Sequence, residues 1–385
     1  MKILILATDI YTRGGIARHT YTFASTLADL LGPENVHLLA LLAYGDPADL
    51  PPRFRILGPV SKRLTAAAKA RFALKALAVA RNKYDLIVCS HLGLVPVAAA
   101  IHFVYRTPFW VACYGREAWG PLPLFKRVAL RQSNLLLPMS RFTGQKLSEV
   151  HKISPPRMFI LQTSIPTDLE RLLTAPAGAG GLEASVYNRG RILLSVGSLT
   201  SAHAYKGFDT VIRALPAALE RVPNIKYVII GEGDDRPRLE KLVSEYQLGT
   251  HVIFAGSVSD EQLAKYYRSC DVFVLPSKTT ERNGSWQGEG FGRVYVEAAL
   301  AGKPVVGSLG GGAAEAVLHG ETGILVDPTS VEETASAIIT LLENPTAAEQ
   351  MGQKGRKWAI ENFTEDALRK SLGGLLHACG SAQVI

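Results

Sequence analysis

Short apolar runs alternate along the chain with longer segments whose apolar residues recur at helical spacing. Ile3–Ala7 is apolar throughout and predicts a buried strand. The Gly14-Gly15 turn follows, and then Ile16–Leu31 carries its apolar residues with a helical period. Val36–Leu42, Leu86–Cys89, Trp110–Ala112 and Leu135–Pro138 read as further strands. The order strand, turn, helix, strand predicts a parallel sheet with helices on both faces.

Residues 174–190 interrupt this pattern with small and polar residues, as a connector does. The strand and helix alternation then restarts at Ile192–Val196, Lys226–Ile230, Val252–Phe254, Val272–Leu275, Pro304–Val306 and Gly323–Val326. The expected fold class is α/β, with two Rossmann-like doubly wound parallel-sheet domains facing across a cleft. The expected boundaries are 1–170 for the first domain, 171–190 for a linker and 191–363 for the second domain. A final helical segment, 364–385, is expected to cross back to the first domain. Ligands of doubly wound sheets bind beyond the carboxyl ends of the strands, so chemistry is sought just after each strand.

Composition adds an asymmetry. The net charge is +8, but residues 1–165 hold 21 Lys+Arg against 8 Asp+Glu, so they carry +13 and the remainder −5. Different partners for the two halves are implied. Residues 61–83 contain seven basic residues and no acidic one, with apolar positions at helical spacing. A basic amphipathic helix of this kind can lie on an anionic membrane, and an ordinary domain helix with a solvated basic face fits the pattern equally. Cys89, Cys113, Cys270 and Cys379 form no C-x-x-C motif and no disulfide framework, so a reducing cytoplasm is expected. The first residues meet Thr8 and Asp9 too soon for a signal peptide. The longest apolar stretch, Leu92 to Ile101, is about half the length of a membrane span. A cytoplasmic protein with peripheral contact at the inner membrane face is the expectation. Basic residues are not interleaved with stacking aromatics, which argues against nucleic acid.

The densest chemistry lies in Glu289-Gly-Phe-Gly-Arg-Val-Tyr-Val-Glu297. If Gly290–Gly292 form the first turn of a helix, the amides of Gly292, Arg293 and Val294 point out of its N-terminus, where phosphate binds. Glu289 then precedes the helix and Glu297 lies more than a turn inside it. Carboxylates accept strong hydrogen bonds from sugar hydroxyls. The same spacing also fits a helix with an acidic cap and one solvated glutamate.

With these motifs the chain resembles the retaining glycosyltransferases of family 4, which have the GT-B fold. The resemblance runs over nearly the whole chain. It includes the E-x7-E pair Glu289 and Glu297, Gly320–Pro328, Gly231–Asp235, Asp271–Ser277 and Tyr205-Lys206-Gly207. Gly14–His19 and Met139–Thr143 fit in the first half. The resemblance implies that Glu289 holds the donor sugar hydroxyls. Phe291, Gly292 and Val294 would offer backbone amides to the sugar and diphosphate, and Glu297 would hold the nucleotide ribose. Lys206 would neutralise the diphosphate, Gly15 would let the first-domain loop approach the phosphates, and Val258 would line the base pocket.

Two positions depart from the family pattern. An arginine commonly follows Val-Gly after the first strand of the second domain, and here Ser198 stands in its place. Arg293 is the candidate replacement cation. A His-Gly-x-Glu segment of many relatives corresponds here to Tyr114-Gly115-Arg116-Glu117, so Tyr114 replaces the histidine while Glu117 keeps its place. A tyrosine can hydrogen-bond a sugar hydroxyl but is a poor proton acceptor near neutral pH. It can also simply pack beside the cleft. His19 and His91 are further first-domain candidates.

The resemblance therefore implies a hexosyl transfer from a nucleotide diphosphate sugar to a glycan, lipid-linked or small-molecule acceptor. Retention of configuration, no cofactor and no metal ion are expected. A nucleotide-sugar-binding protein without transfer is the main alternative. An epimerase or phosphorylase of the same fold is a second, and a dehydrogenase is disfavoured because no G-x-G-x-x-G follows the first strand.

Overall fold

The computed structural model describes residues 1–12, 14–44, 53–176, 190–282 and 284–381. The chain forms two compact units, Met1–Pro166 with Glu365–Ile385, and Thr167–Thr364.

The first unit contains β1 (Ile3–Ala7), α1 (Gly15–Leu31), β2 (Val36–Leu42), β3 (Arg55–Ser61), α2 (Ala66–Ala80) and β4 (Leu86–Cys89). It continues with α3 (Val95–Tyr105), β5 (Phe109–Cys113), α4 (Arg116–Trp119), α5 (Leu124–Arg131), β6 (Leu135–Pro138) and α6 (Arg141–His151). The second unit contains α7 (Thr167–Thr174), β7 (Arg191–Val196), α8 (Phe208–Arg221), β8 (Ile225–Ile230), α9 (Arg236–Glu245), β9 (Val252–Gly256) and α10 (Asp260–Ser269). There follow β10 (Val272–Val274), β11 (Thr280–Arg282), β12 (Ser285–Gln287), α11 (Arg293–Leu300), β13 (Val305–Ser308), β14 (Gly323–Val326), α12 (Val331–Glu343) and α13 (Pro345–Phe363). The last helix is α14 (Glu365–Ser381).

The first sheet has the order β3-β2-β1-β4-β5-β6, and its strand pairs are parallel. Helices cover both of its faces, so β1, β2 and β4 are buried at every residue, which explains their unbroken apolar runs. α14 packs on α1. Its Leu368, Leu372 and Leu375 join Phe23 and Leu27 of α1 in the core. Arg369 adds a 3.0 Å ion pair with Asp29. α2, α3 and α5 pack side by side as another helical layer.

The second sheet has the order β14-β13-β10-β7-β8-β9, again parallel. The chain moves outward in opposite directions from β1 and β4 in one sheet and from β7 and β10 in the other. Those pairs are the switch points, where the loops diverge and leave a crevice.

Some boundaries differ from the sequence expectation. The first domain, expected to reach residue 170, ends at Pro166, because α7 packs on α10 and α11 and buries Leu169 and Leu173 there. The expected linker 171–190 thus begins inside α7, and its residues 177–189 lie outside the described residues. β3 was not anticipated, because Gly58 and Pro59 punctuate it. It is an edge strand, where proline costs no ladder bond, and it bulges between Ile56 and Pro59 with Gly58 at φ 83°.

Candidate functional site

In the second unit, the two loops at the switch point are tied together. After β7 the chain forms a short 3-10 segment, Ser201–Lys206, that ends on Gly207 at φ 82°. A Cβ at Gly207 would lie 2.2 Å from the carbonyl oxygen of Pro276, which follows β10, so glycine is required there. The Lys278 amide donates to the Tyr205 carbonyl at 2.6 Å. The Lys206 stem therefore crosses directly over Gly197, where a Cβ would stand 2.8 Å from Lys206 Cδ. Its ammonium donates to Glu289 Oε1, and both side chains are largely buried. Lys206 and Glu289, 83 residues apart, thus form one charged pair at the sheet's carboxyl end.

Glu289 is positioned from β13 as well. The Gly312 amide donates to its carbonyl at 3.2 Å, and a Cβ at Gly312 would sit 1.9 Å from the Gly290 oxygen. The run Gly310–Gly312 thus supports the Glu289 loop by backbone contact. It was not singled out in the sequence, although a glycine run after a strand is a legible turn signal.

α11 begins at Arg293, one turn later than the expected start at Gly290–Gly292. Gly292 is its N-cap at φ 88°, a conformation that L side chains rarely adopt, and the Tyr295 ring occupies the space of its missing Cβ. Phe291 turns its ring into the core against Phe363, with ring centres 5.3 Å apart. Among the described residues, the amides of Phe291, Gly292 and Val294 make no backbone bond, whereas Tyr295 donates to Gly292 at 3.0 Å. Glu289 lies four residues before Arg293, where α11 and its positive dipole end begin.

Glu297 is buried, at 6% exposure. Its Oε1 accepts from Arg293 Nε at 3.0 Å and its Oε2 from the Tyr267 hydroxyl at 2.9 Å. Burial and the Glu297 charge raise the Tyr267 pKa well above its usual value, so the hydroxyl keeps its proton and donates. Arg293, the candidate replacement cation, is ion-paired with Glu297 one turn along the same helix. Tyr267 carried no sequence signal, since it lies in a mixed stretch of α10. Ser198 hydrogen-bonds Thr200 at 3.2 Å, which in turn contacts His203 at 3.0 Å. Val258 is half-buried in the turn before α10, which Ser259 and Gln262 close with a reciprocal capping box.

In the first unit, Gly15 opens α1 just after β1, and space for a Cβ there is empty. Tyr114, after β5, is buried, and its hydroxyl lies 3.2 Å from Thr20 Oγ1. The His19 ring meets the Tyr114 ring edge-on at 5.5 Å. Burial raises the Tyr114 pKa, so it stays a neutral donor and cannot serve as a base near neutral pH. Glu117 Oε1 accepts from the amides of Tyr114 at 2.6 Å and Gly115 at 3.2 Å, which closes the loop at the start of α4. His91, after β4, accepts from the Gly93 amide through Nδ1 at 2.9 Å. Burial lowers its pKa, the Glu117 charge opposes that, and Lys126 adds to it. His19, Tyr114 and Thr20 form one cluster, and His91 and Glu117 interact electrostatically. Among the described residues no group of three or more His, Cys, Asp or Glu side chains is arranged to hold a metal ion.

Two parallel six-stranded sheets, each with its polar groups at the strand ends, define the GT-B architecture. Solved structures share it. The Anabaena protein HepE in complex with UDP superposes with a TM-score of 0.77 at 20% identity, over 98% of this chain and 100% of that one. Sucrose-phosphate synthase from Thermosynechococcus elongatus gives 0.77 at 21% identity, over 99% and 100%. The model of the family "Glycosyl transferases group 1" matches residues 184–358. The GDP-mannose-dependent alpha-(1-6)-phosphatidylinositol monomannoside mannosyltransferase of Mycolicibacterium smegmatis is 40% identical over 158 residues, 41% of each chain. That match spans less than half the length of the relative. A glycosyltransferase of Methanocaldococcus jannaschii, itself uncharacterized, is 27% identical over 96% of both chains. The chain shares the GT-B fold with these structures, and the stretch that matches "Glycosyl transferases group 1" lies in the second unit.

Proposed function

We propose that the protein is a retaining glycosyltransferase that carries a sugar from a nucleotide diphosphate sugar to an acceptor, with no metal ion or cofactor. The observation that carries this reading is the Lys206–Glu289 pair, set beside the open amides that lead into α11. A donor sugar would exchange hydroxyl contacts with Glu289, freeing the Lys206 ammonium for the diphosphate. The amides of Phe291, Gly292 and Val294 would face the same anion. Lys206 and the helix terminus then stabilise the leaving diphosphate. The anomeric C–O bond to the diphosphate breaks, and the acceptor oxygen bonds the anomeric carbon on the same face. The acceptor proton passes to a phosphate oxygen, so no strong protein base is needed. Glu297 holds the ribose, and Arg293 acts through it by orienting its carboxylate. Gly15 gives the phosphates clearance, and Val258 lines the base pocket.

The mannosyltransferase relatives use GDP-mannose and a phosphatidylinositol mannoside, and HepE was solved with UDP. These favour a lipid-linked acceptor and make GDP-mannose and UDP-glucose the first donors to test. The reaction would take place in the cytoplasm, with the basic helix α2 touching the inner membrane face. Donor consumption and product anomeric configuration, followed by NMR with EDTA present, test the proposal. An inverted product, or loss of turnover restored only by a divalent ion, would overturn the mechanism. A second reading, donor binding without transfer, is favoured by Ser198 and Tyr114 at the two positions that depart from the family pattern. Donor stabilisation with no turnover on any acceptor would select it.

A further inference from the structure

The second unit has a cavity of about 430 Å³ at the end of its sheet opposite the Lys206–Glu289 pair. It lies at the amino ends of β7, β10 and β13, where Arg191, Asp271 and Lys303 stand, and α7, α10 and α13 help to wall it. That volume falls in the range of small-molecule sites. Arg191, Arg268, Lys303 and Arg356 line it against Asp271 and Glu349, a net charge of +2. Leu173, Leu341, Pro345 and Ala348 supply an apolar wall. Part of the charge has a structural duty. Arg268 donates to the Leu172 carbonyl and Arg356 to the Thr174 carbonyl at 2.6 Å, which satisfies the last turn of α7. Arg191 pairs with Asp271 at 3.1 Å. Each of these guanidiniums keeps further N–H donors for an occupant. Lys303 has no such duty. It is half-buried, and among the described residues its ammonium has no hydrogen-bond or ion-pair partner. Burial pushes the Cys270 thiol up to about 12 although the Lys303 charge opposes this, so the cysteine in the same lining stays protonated and inert.

We propose that this cavity binds a phosphate monoester of a small organic molecule, with Lys303 and the remaining N–H groups of Arg268 and Arg356 on the phosphate and the apolar wall on the organic body. Charge complementarity selects the ligand class. A phosphate monoester carries about −1.5 to −2 near neutral pH, which matches the lining, whereas one carboxylate would leave half of the positive charge unmatched. Arginine forks and a lysine ammonium are the donors suited to phosphate oxygens. Bare phosphate would leave Leu173, Leu341, Pro345 and Ala348 without a partner. The occupant ties α7 to α10 and α13 through the same arginines that satisfy its last turn. α7 begins where the chain enters the second unit after Pro166, and α13 ends where it leaves at Thr364, so the ligand holds the helix at each crossing. The site shares no residue with Lys206, Glu289, Arg293 or Glu297, and the inference does not rest on the transferase reading.

The test is calorimetric titration of the full chain with phenyl phosphate, inorganic phosphate and phenol at low salt. The wild type should bind phenyl phosphate, and should bind inorganic phosphate roughly tenfold more weakly because no ring is buried. Phenol, which lacks the charge, should not bind. Lys303→Gln should weaken phenyl phosphate by about tenfold, the scale of one charge-assisted hydrogen bond. Glu349 is exposed, and Glu349→Gln removes its opposing charge, so affinity should rise by about two- to threefold. These opposite shifts at two lining residues would not arise from a purely structural role. Lys206→Ala should bind phenyl phosphate as the wild type does. Loss of binding in Lys206→Ala with retention in Lys303→Gln places the anion at the donor site and overturns the inference. Wild-type protein that binds no phenyl phosphate, or binds inorganic phosphate or phenol equally well, also overturns it. Bound phenyl phosphate should slow hydrogen exchange in α7, and unchanged exchange there contradicts the location. Stabilisation of Lys303→Gln by a donor sugar reports separately on the transferase reading, whatever phenyl phosphate does.

Discussion

The candidate groups of the two units are held in opposite ways. In the second unit, side chain holds side chain: Lys206 pairs with Glu289, and Arg293 and Tyr267 hold Glu297. In the first unit, Glu117 is spent on the backbone amides of its own loop, and Tyr114 is a buried neutral hydroxyl beside Thr20. A pair such as Lys206–Glu289 can open toward a charged ligand that takes over both contacts. A carboxylate that closes its own turn, and a tyrosine whose pKa burial raises, are suited to shape and hydrogen bonding instead. The charge-bearing work of the proposed reaction thus lies in the second unit, and the first unit contributes positioning and its basic exterior.

That division can be broken or sharpened by substitution. The largest effect is expected from Lys206→Ala, which removes the cation proposed for the leaving diphosphate. Turnover should fall by about 10²–10³-fold, the scale of losing one oriented electrostatic contact. Steady-state kinetics with a saturating donor checks this.

Next is Glu297→Leu, which leaves the largely buried Arg293 guanidinium without its carboxylate. A loss of about 3–5 kcal/mol in urea unfolding is expected, typical of breaking a buried pair from one side. Glu297→Gln should cost less, because the amide oxygen still accepts from Arg293.

A glycine in each unit gives a smaller and opposite pair. Gly292→Ala forces a Cβ toward the Tyr295 ring at positive φ and should cost about 1–3 kcal/mol. Gly15→Ala meets open space at the start of α1 and should leave stability unchanged or raise it by about 0.5–1 kcal/mol. If Gly15 serves phosphate clearance, donor affinity falls in that variant although the fold is intact. Calorimetry and donor titration separate the two outcomes.

The smallest effect concerns pH. Burial lowers the pKa of His37, His91 and His151, all in the first unit. Protons then bind the unfolded chain more readily than the folded one, so stability is full above the ordinary histidine pKa and declines as pH falls through about 6.5. Hydrogen exchange should show first-unit amides losing protection between neutral and mildly acidic pH before those of β7 and β8.

Much of the fold was legible because parallel strands buried on both faces leave unbroken apolar runs, as at Ile3–Ala7 and Val36–Leu42. The elements that escaped lack that signature. β3 is interrupted by Gly58 and Pro59, and the β11–β12 hairpin is only three residues long on each side. Asn283-Gly284 between its strands is a hairpin signal that the apolar pattern does not contain. In the site, Lys206 and Glu289 could be named from their motifs, but their contact depends on β7 and β10 being neighbours in the sheet. Arg293 and Glu297 are four apart on one helix, so spacing alone brings them within reach of each other. Tyr267 reaches Glu297 only through tertiary packing of α10 on α11, which no local pattern encodes.

The most direct test of the donor site is thermal stabilisation of wild type and Lys206→Ala by a panel of GDP-, UDP- and ADP-sugars. A donor present at about 100 times its Kd should stabilise the wild type by about 2.7 kcal/mol. The account predicts a clear rise in melting temperature with one nucleotide family and its loss in Lys206→Ala. No rise with any donor, or the same rise in both proteins, would contradict it.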